Sequence, residues 1–248
     1  RSYLAGCGLS TAGGSGTMSI AAGTAIDSTN VSAMVLAAIA KTTGSWAVGT
    51  AQGGLDTGSI ANTTWYHFYV IQRVDTGVVD VLISLSATTP TLPTNYTLFR
   101  RIGSGLTDGS AHWVAFVQRG DYFVWLVQLL DISVNNPGTS AVLRTLTVPT
   151  GVNVTWRGNI FMDGNNSSYG MLVSDPSTTD SAPTAAHGGT PPGASINAAA
   201  PTTTPLAAYI EVMTDTSARV RTRATASDAD LNFDMWTIGW YDRRGRDN

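Results

Sequence analysis

Apolar and polar residues alternate with a period of two along much of this chain, the spacing of strands that bury one face. In Val31–Ala40 the residues Val31, Ala33, Val35, Ala37 and Ile39 share a face. Trp65–Val74 and Val78–Ser86 follow, joined by Asp75-Thr76-Gly77, which supplies hairpin-turn chemistry. In the second of these runs Val79, Val81, Ile83 and Leu85 fall together. Pro90 and Pro93 break the pattern before Tyr96–Ile102, and a further hairpin is predicted for Ala111–Gln118 and Tyr122–Leu130 around Arg119-Gly120-Asp121. Beyond it, Ala141–Val148 and Val152–Phe161 are linked by Pro149-Thr150-Gly151, and Leu206–Met213 is expected to pair with Arg219–Ala226 around Asp215, Thr216 and Ser217. Leu231–Tyr241 is the last strand expected.

Asp131–Ser140, with Asn135, Asn136, Pro137 and Gly138, reads as the best linker. It divides the chain into an N-terminal β-sandwich domain, 1–135, and a C-terminal one, 136–248. Asp175–Pro205 holds six of the 10 prolines and no periodicity, which predicts an extended surface excursion. Short strands without alternating helices exclude parallel α/β folds. The expectation is an all-β chain of two antiparallel β-sandwich, jelly-roll-like domains, with less than about a tenth of residues in helix.

Composition supports this. Glu211 is the one glutamate and Lys41 the one lysine, so the best helix formers among charged residues are almost missing, whereas turn-forming Asp and Thr are plentiful beside 26 glycines. A net charge of −3 with 12% charged residues gives no field that would neutralise phosphates, which argues against nucleic-acid binding. No apolar run approaches the roughly 20 residues of a membrane-spanning helix, so no membrane insertion is expected. Cys7 has no partner for an internal disulfide and is expected to pack among glycines. The start at Arg1 leads to the expectation that further sequence precedes it.

Motifs that suggest chemistry have plainer explanations. Asp56-Thr57-Gly58-Ser59 and Asp75-Thr76-Gly77 resemble the turn that presents an aspartic-protease carboxylate, but both lie in one short segment and the second is a hairpin turn. Arg119-Gly120-Asp121 is the composition of any tight hairpin tip. Asp163, Asn165 and Ser167 alternate like a calcium loop, yet Ser168 and Ser174 stand where glycine and glutamate are needed. His67, His112 and His187 lack metal-ligand spacing. No catalytic residue, metal or cofactor is therefore expected. Trp or Tyr beside Asn and Asp is what a carbohydrate site requires. Trp65, Trp113, Trp125, Trp156, Trp236 and Trp240 are assigned to the core, and Asp163, Asn165, Asn166 and Tyr169, placed in a loop at a sandwich end, are the binding candidates.

Arg1–Gly6, Ile20–Gly23, Asp27–Asn30, Trp46–Gly49, Gly53–Gly58, Thr76–Val81, Ser86–Pro93, Phe99–Gly103, Asn136–Gly138, Thr214–Ser217 and the terminal Gly239-Trp-Tyr-Asp-Arg-Arg-Gly-Arg-Asp247 together resemble a family of phage and prophage tail-fibre-like proteins. The resemblance spans nearly the whole chain; it departs at Cys7 and in the proline-rich excursion. It implies a structural, non-enzymatic component of a phage virion, in the tail and assembled in the host cytoplasm. Such a module would present a host-surface glycan-binding face, form a homo-oligomer, a trimer by analogy with tail fibres, and contact other tail proteins. A purely architectural tail or capsid-decoration protein and a polysaccharide-cleaving tailspike are the rivals.

Overall fold

The computed structural model describes residues 3–164, 169–183, 194–198 and 202–246, and within them every regular element is a strand. The chain forms two compact units, one holding the residues up to Leu126 and those from Asp242 on, the other Val127–Tyr241.

In the first unit, β1 (Leu4–Gly6), β4 (Gly23–Ile26) and β5 (Ala33–Leu36) make an antiparallel sheet in the order β1-β4-β5. The other strands are β2 (Leu9–Thr11), β3 (Met18–Ile20), β6 (Ile39–Ser45), β7 (Gln52–Leu55), β8 (Trp65–Arg73), β9 (Val79–Ser84), β10 (Tyr96–Leu106), β11 (Phe116–Arg119) and the start of β12 (Tyr122–Asn135). They lie in the order β10-β8-β9-β7-β6-β3-β2-β11-β12. The links β6–β7 and β7–β9 are parallel, so this unit is mixed and not purely antiparallel as expected. Because β5 packs against β8 and β9, these two strands are covered on both faces, and Tyr66, Phe68, Tyr69, Val70 and Ile71 are all buried. The hairpins β8–β9 and β11–β12 form as expected.

A buried clamp closes this unit. Arg101 grips Asp242 through two guanidinium nitrogens, at 2.5 and 2.8 Å, and also donates to Ser104 Oγ at 3.0 Å, whose oxygen lies 2.9 Å from His67 Nδ1. A bidentate pair of this kind fixes orientation as well as distance. The stretches Phe99–Gly103 and Gly239–Arg246 thus meet in a structural ion pair.

The second unit has two four-stranded arrays. One runs β13 (Val142–Thr145), β18 (Arg219–Ala224), β15 (Tyr169–Ser174) and β16 (Ala194–Ala198), all antiparallel. The other runs in the order β12-β19-β14-β17, with β14 (Thr155–Gly164), β17 (Thr202–Met213) and β19 (Asn232–Tyr241). In β14 the residues Trp156, Ile160 and Met162 point to the core while Arg157, Asn159, Phe161 and Asp163 are half-buried on the opposite face. β19 repeats this alternation, burying Phe233, Met235 and Thr237. Gly158 lies under the Trp156 ring, where a Cβ would sit 2.1 Å from that ring and 2.3 Å from the Trp236 carbonyl.

Several local expectations are corrected. In β5 it is Met34 and Leu36 that are buried, while Val31 and Val35 are 80% and 68% exposed, because apolar residues occupy both faces and packing against β8 and β9 selects one. The stretch expected as a strand from Ala111 is one only from Phe116, since Asp108 caps a turn through the Ser110 and His112 amides. The stretch expected as a linker is strand as far as Asn135, held by Asp131, which accepts from Thr147 N, Thr147 Oγ1 and Thr237 Oγ1. The proline-rich excursion includes β16, paired along β15, and β17 begins before Pro205. Proline has no N–H for a ladder, and β17 is an edge strand where that loss is tolerated. β17 and β18 do not form the expected hairpin but join different sheets, as do β13 and β14.

Candidate functional site

The alternation of β14 and β19 leaves an outward face on the second unit in which aromatic and polar side chains are interleaved. Across the strands Asp163 stands opposite Asn232, Phe161 opposite Asp234, and Asn159 between Trp236 and Tyr209. Gln128, Phe161, Asp163, Asn232, Asp234 and Trp236 line a groove of about 430 Å³ here. Asn232 Nδ2 donates to Asp163 Oδ1 at 2.7 Å, which orients that carboxylate at the edge of the groove. Among the described residues, neither the Asp234 carboxylate nor the Gln128 amide has a hydrogen-bond partner.

The other end of the face holds an internal ion pair. Arg157 pairs with Glu211 at 2.8 Å and lies over the rings of Tyr209 and Tyr241, 5.2 and 4.5 Å from their centroids, while Tyr209 donates to Glu211 at 3.1 Å. The face therefore has an ion-paired end and, beside Trp236, an end where Asp234 and Gln128 are open to a ligand.

Of the expected site residues, only Asp163 lies in this groove. Asn165 and Asn166 fall outside the described residues. Tyr169 is not in a surface loop: it is the first residue of β15, 1% exposed, its ring against Gly164 and its hydroxyl donating to Asp228 at 2.6 Å. That bond and the Asp230 amide hold the Asp228 carboxyl below its ordinary pKa. Trp236, assigned to the core from its strand, is half-buried and points outward. The signal was its parity: Asn232, Asp234 and Trp236 alternate with Phe233 and Met235.

The remaining candidates serve the fold. Asp56 accepts from the amides of Thr57 and Thr91, and Asp75 pairs with Arg73 at 2.6 Å. Asp121, of the Arg-Gly-Asp tripeptide, pairs with Arg244 at 3.0 Å and with Arg246. His67 is buried, and burial together with the neighbouring Arg101 charge pushes its pKa down to about 3, so it stays neutral at physiological pH. His187 lies outside the described residues. No group of three or more His, Cys, Asp or Glu among the described residues could hold a metal ion.

The sequence matches no protein-family model and no curated protein.

Proposed function

We propose that the chain is a non-enzymatic structural module of a phage tail fibre or spike that holds a bacterial surface glycan on the outward face of its second unit. The observation that carries the binding reading is the groove beside Trp236 and Phe161, where Asp163, Asp234, Asn232 and Gln128 converge. Flat apolar rings favour the C–H face of a sugar, and amides and carboxylates accept and donate to its hydroxyls. The viral setting, with a place in the virion and assembly in the host cytoplasm, rests on the resemblance to tail-fibre-like proteins. A homo-oligomer, with three copies as in fibres, accords with exposed apolar residues on β12, where Val127 is 73% and Leu130 46% exposed. Repeated display would strengthen weak contacts with a repetitive surface.

One observation favours a second reading, cleavage of the polysaccharide. Asp163 and Asp234 are diagonal neighbours on β14 and β19, positions whose backbones lie about 7–8 Å apart, from which two carboxylates can reach the separations of paired glycosidase carboxylates. Against it, an acid catalyst needs a desolvated carboxyl, and Asp234 is half-exposed on an open face.

Printed glycan arrays, a reducing-sugar assay on every glycan retained, and antibody labelling of virions by electron microscopy test the proposal. Binding without release of reducing ends, with label at the tail, is expected. Label on the capsid would establish the decoration rival, sugar release the tailspike rival, and tail label without glycan binding a purely architectural part.

A further inference from the structure

The first unit carries a larger groove, about 750 Å³, that the reading above does not use. Its walls come from the loop after β6, the Asp56–Gly58 turn, the β8–β9 turn and the segment Thr91–Tyr96. Trp46, Leu92 and Pro93 give it an apolar side; Thr57, Thr76, Thr91 and Thr94 give it hydroxyls.

The groove is built rigidly. Trp46 donates its indole N–H to the Val81 carbonyl at 3.1 Å and meets the Tyr96 ring edge-on at 5.1 Å. The loop that carries it is tied down by the chain's one lysine. Lys41 Nζ donates to the carbonyls of Ala47 and Gly49 at 2.7 and 3.1 Å and pairs with Asp80 at 3.0 Å, with both side chains almost fully buried. Asp80 in turn accepts from Gly49 N at 2.8 Å. A buried ion pair adds little to stability over an apolar pair of like volume, and here its hydrogen bonds to Ala47 O, Gly49 O and Gly49 N fix the geometry of this loop. Asp56 then joins two walls by accepting from the amides of Thr57 and Thr91.

The charged groups on the rim already have partners within the protein. Arg73 is held by Asp75, and Asp56 is held by backbone amides. What remains for a ligand is an aromatic and aliphatic side with a ring of hydroxyls that both donate and accept. We propose that this groove is a second binding site, for a neutral oligosaccharide, which lays the apolar face of a sugar ring against Trp46, Leu92 and Pro93 and bonds its hydroxyls to the threonine rim. This site is independent of the face on the second unit: either can fail without the other.

The test is a titration of the ¹⁵N-labelled full chain with maltotriose, cellotriose, chitotriose and mannotriose, followed by the indole N–H signals, with that of Trp46 assigned by its loss in Trp46→Phe. At least one trisaccharide is expected to shift the Trp46 signal saturably, and Trp236→Ala should leave that shift intact. Thr91→Arg, which fills the mouth from an exposed position, should weaken the binding tenfold or more without disturbing the remaining signals. A Trp46 signal unmoved by all four sugars overturns the proposal, as does binding that survives Thr91→Arg or disappears with Trp236→Ala.

Discussion

Lowering the pH from 7.5 to 5 should destabilise the first unit by about 2 kcal/mol through a single residue, His67. The ring is 2% exposed, and burial with the Arg101 charge sets its folded pKa near 3, against 6.5 when unfolded. Since the folded pKa is the lower one, only the unfolded chain takes up the proton between pH 6.5 and 3, and stability falls as pH falls through that window. Each pKa unit is about 1.4 kcal/mol, so a histidine about 1.5 units below its unfolded pKa at pH 5 costs about 2 kcal/mol, rising to about 5 kcal/mol near pH 3. Asp242 does not contribute in the upper part of the window. Burial raises its pKa, but the charge and hydrogen bonds of Arg101 outweigh that and hold it below its ordinary 3.8, so its stabilisation is kept above that value and lost only in stronger acid. Urea unfolding at pH 7.5 and 5.0 for wild type and His67→Gln is the assay. The variant should lack the drop. Equal pH dependence in the two proteins would show that His67 is solvated or already charged in the folded state.

Lys41→Ala should destabilise the first unit by about 3–5 kcal/mol, because it strands a buried Asp80, and adding Asp80→Ala should restore part of that in denaturant melts. Gly158→Ala should cost about 1–3 kcal/mol or more, since the methyl collides with the Trp156 ring and the Trp236 backbone; a calorimetric melt as high as wild type would contradict this packing. Cys7 is fully buried, and burial pushes its thiol up to about 11 despite the nearby Arg244, so less than about a thousandth is thiolate at pH 7.5; it should resist alkylation until the protein is unfolded, as mass spectrometry after iodoacetamide would record.

Much of the strand inventory was legible because period-two alternation is a local property. β8, β9, β14 and β19 can all be read within a few residues of their observed limits. Sheet membership was not legible, since the residues around Pro149 and Asp215 look like hairpin turns yet connect strands of different sheets. Nothing in the sequence around Ala194–Ala198, a short Ala-Ser-Ile-Asn-Ala run after a proline-rich stretch, marks a strand; the backbone partner β15 makes it one. The site was half visible. Asp163 was singled out for its polar surroundings, while Trp236 was assigned inward because tryptophan in a strand is usually core, although its own parity with Asn232 and Asp234 points outward. Trp46 gave no such cue, being held in a loop by Lys41 and Val81.

The proposal that the outward face of the second unit binds a glycan is tested most directly by isothermal titration of wild type and Trp236→Ala with the glycan that the array retains. Loss of affinity by tenfold or more, with the protein still folded and only a modest drop in melting temperature, is the expected result, because the half-buried indole faces outward into the groove where the ligand would lie. Undiminished affinity in the variant would contradict the account and move the binding surface elsewhere on the molecule.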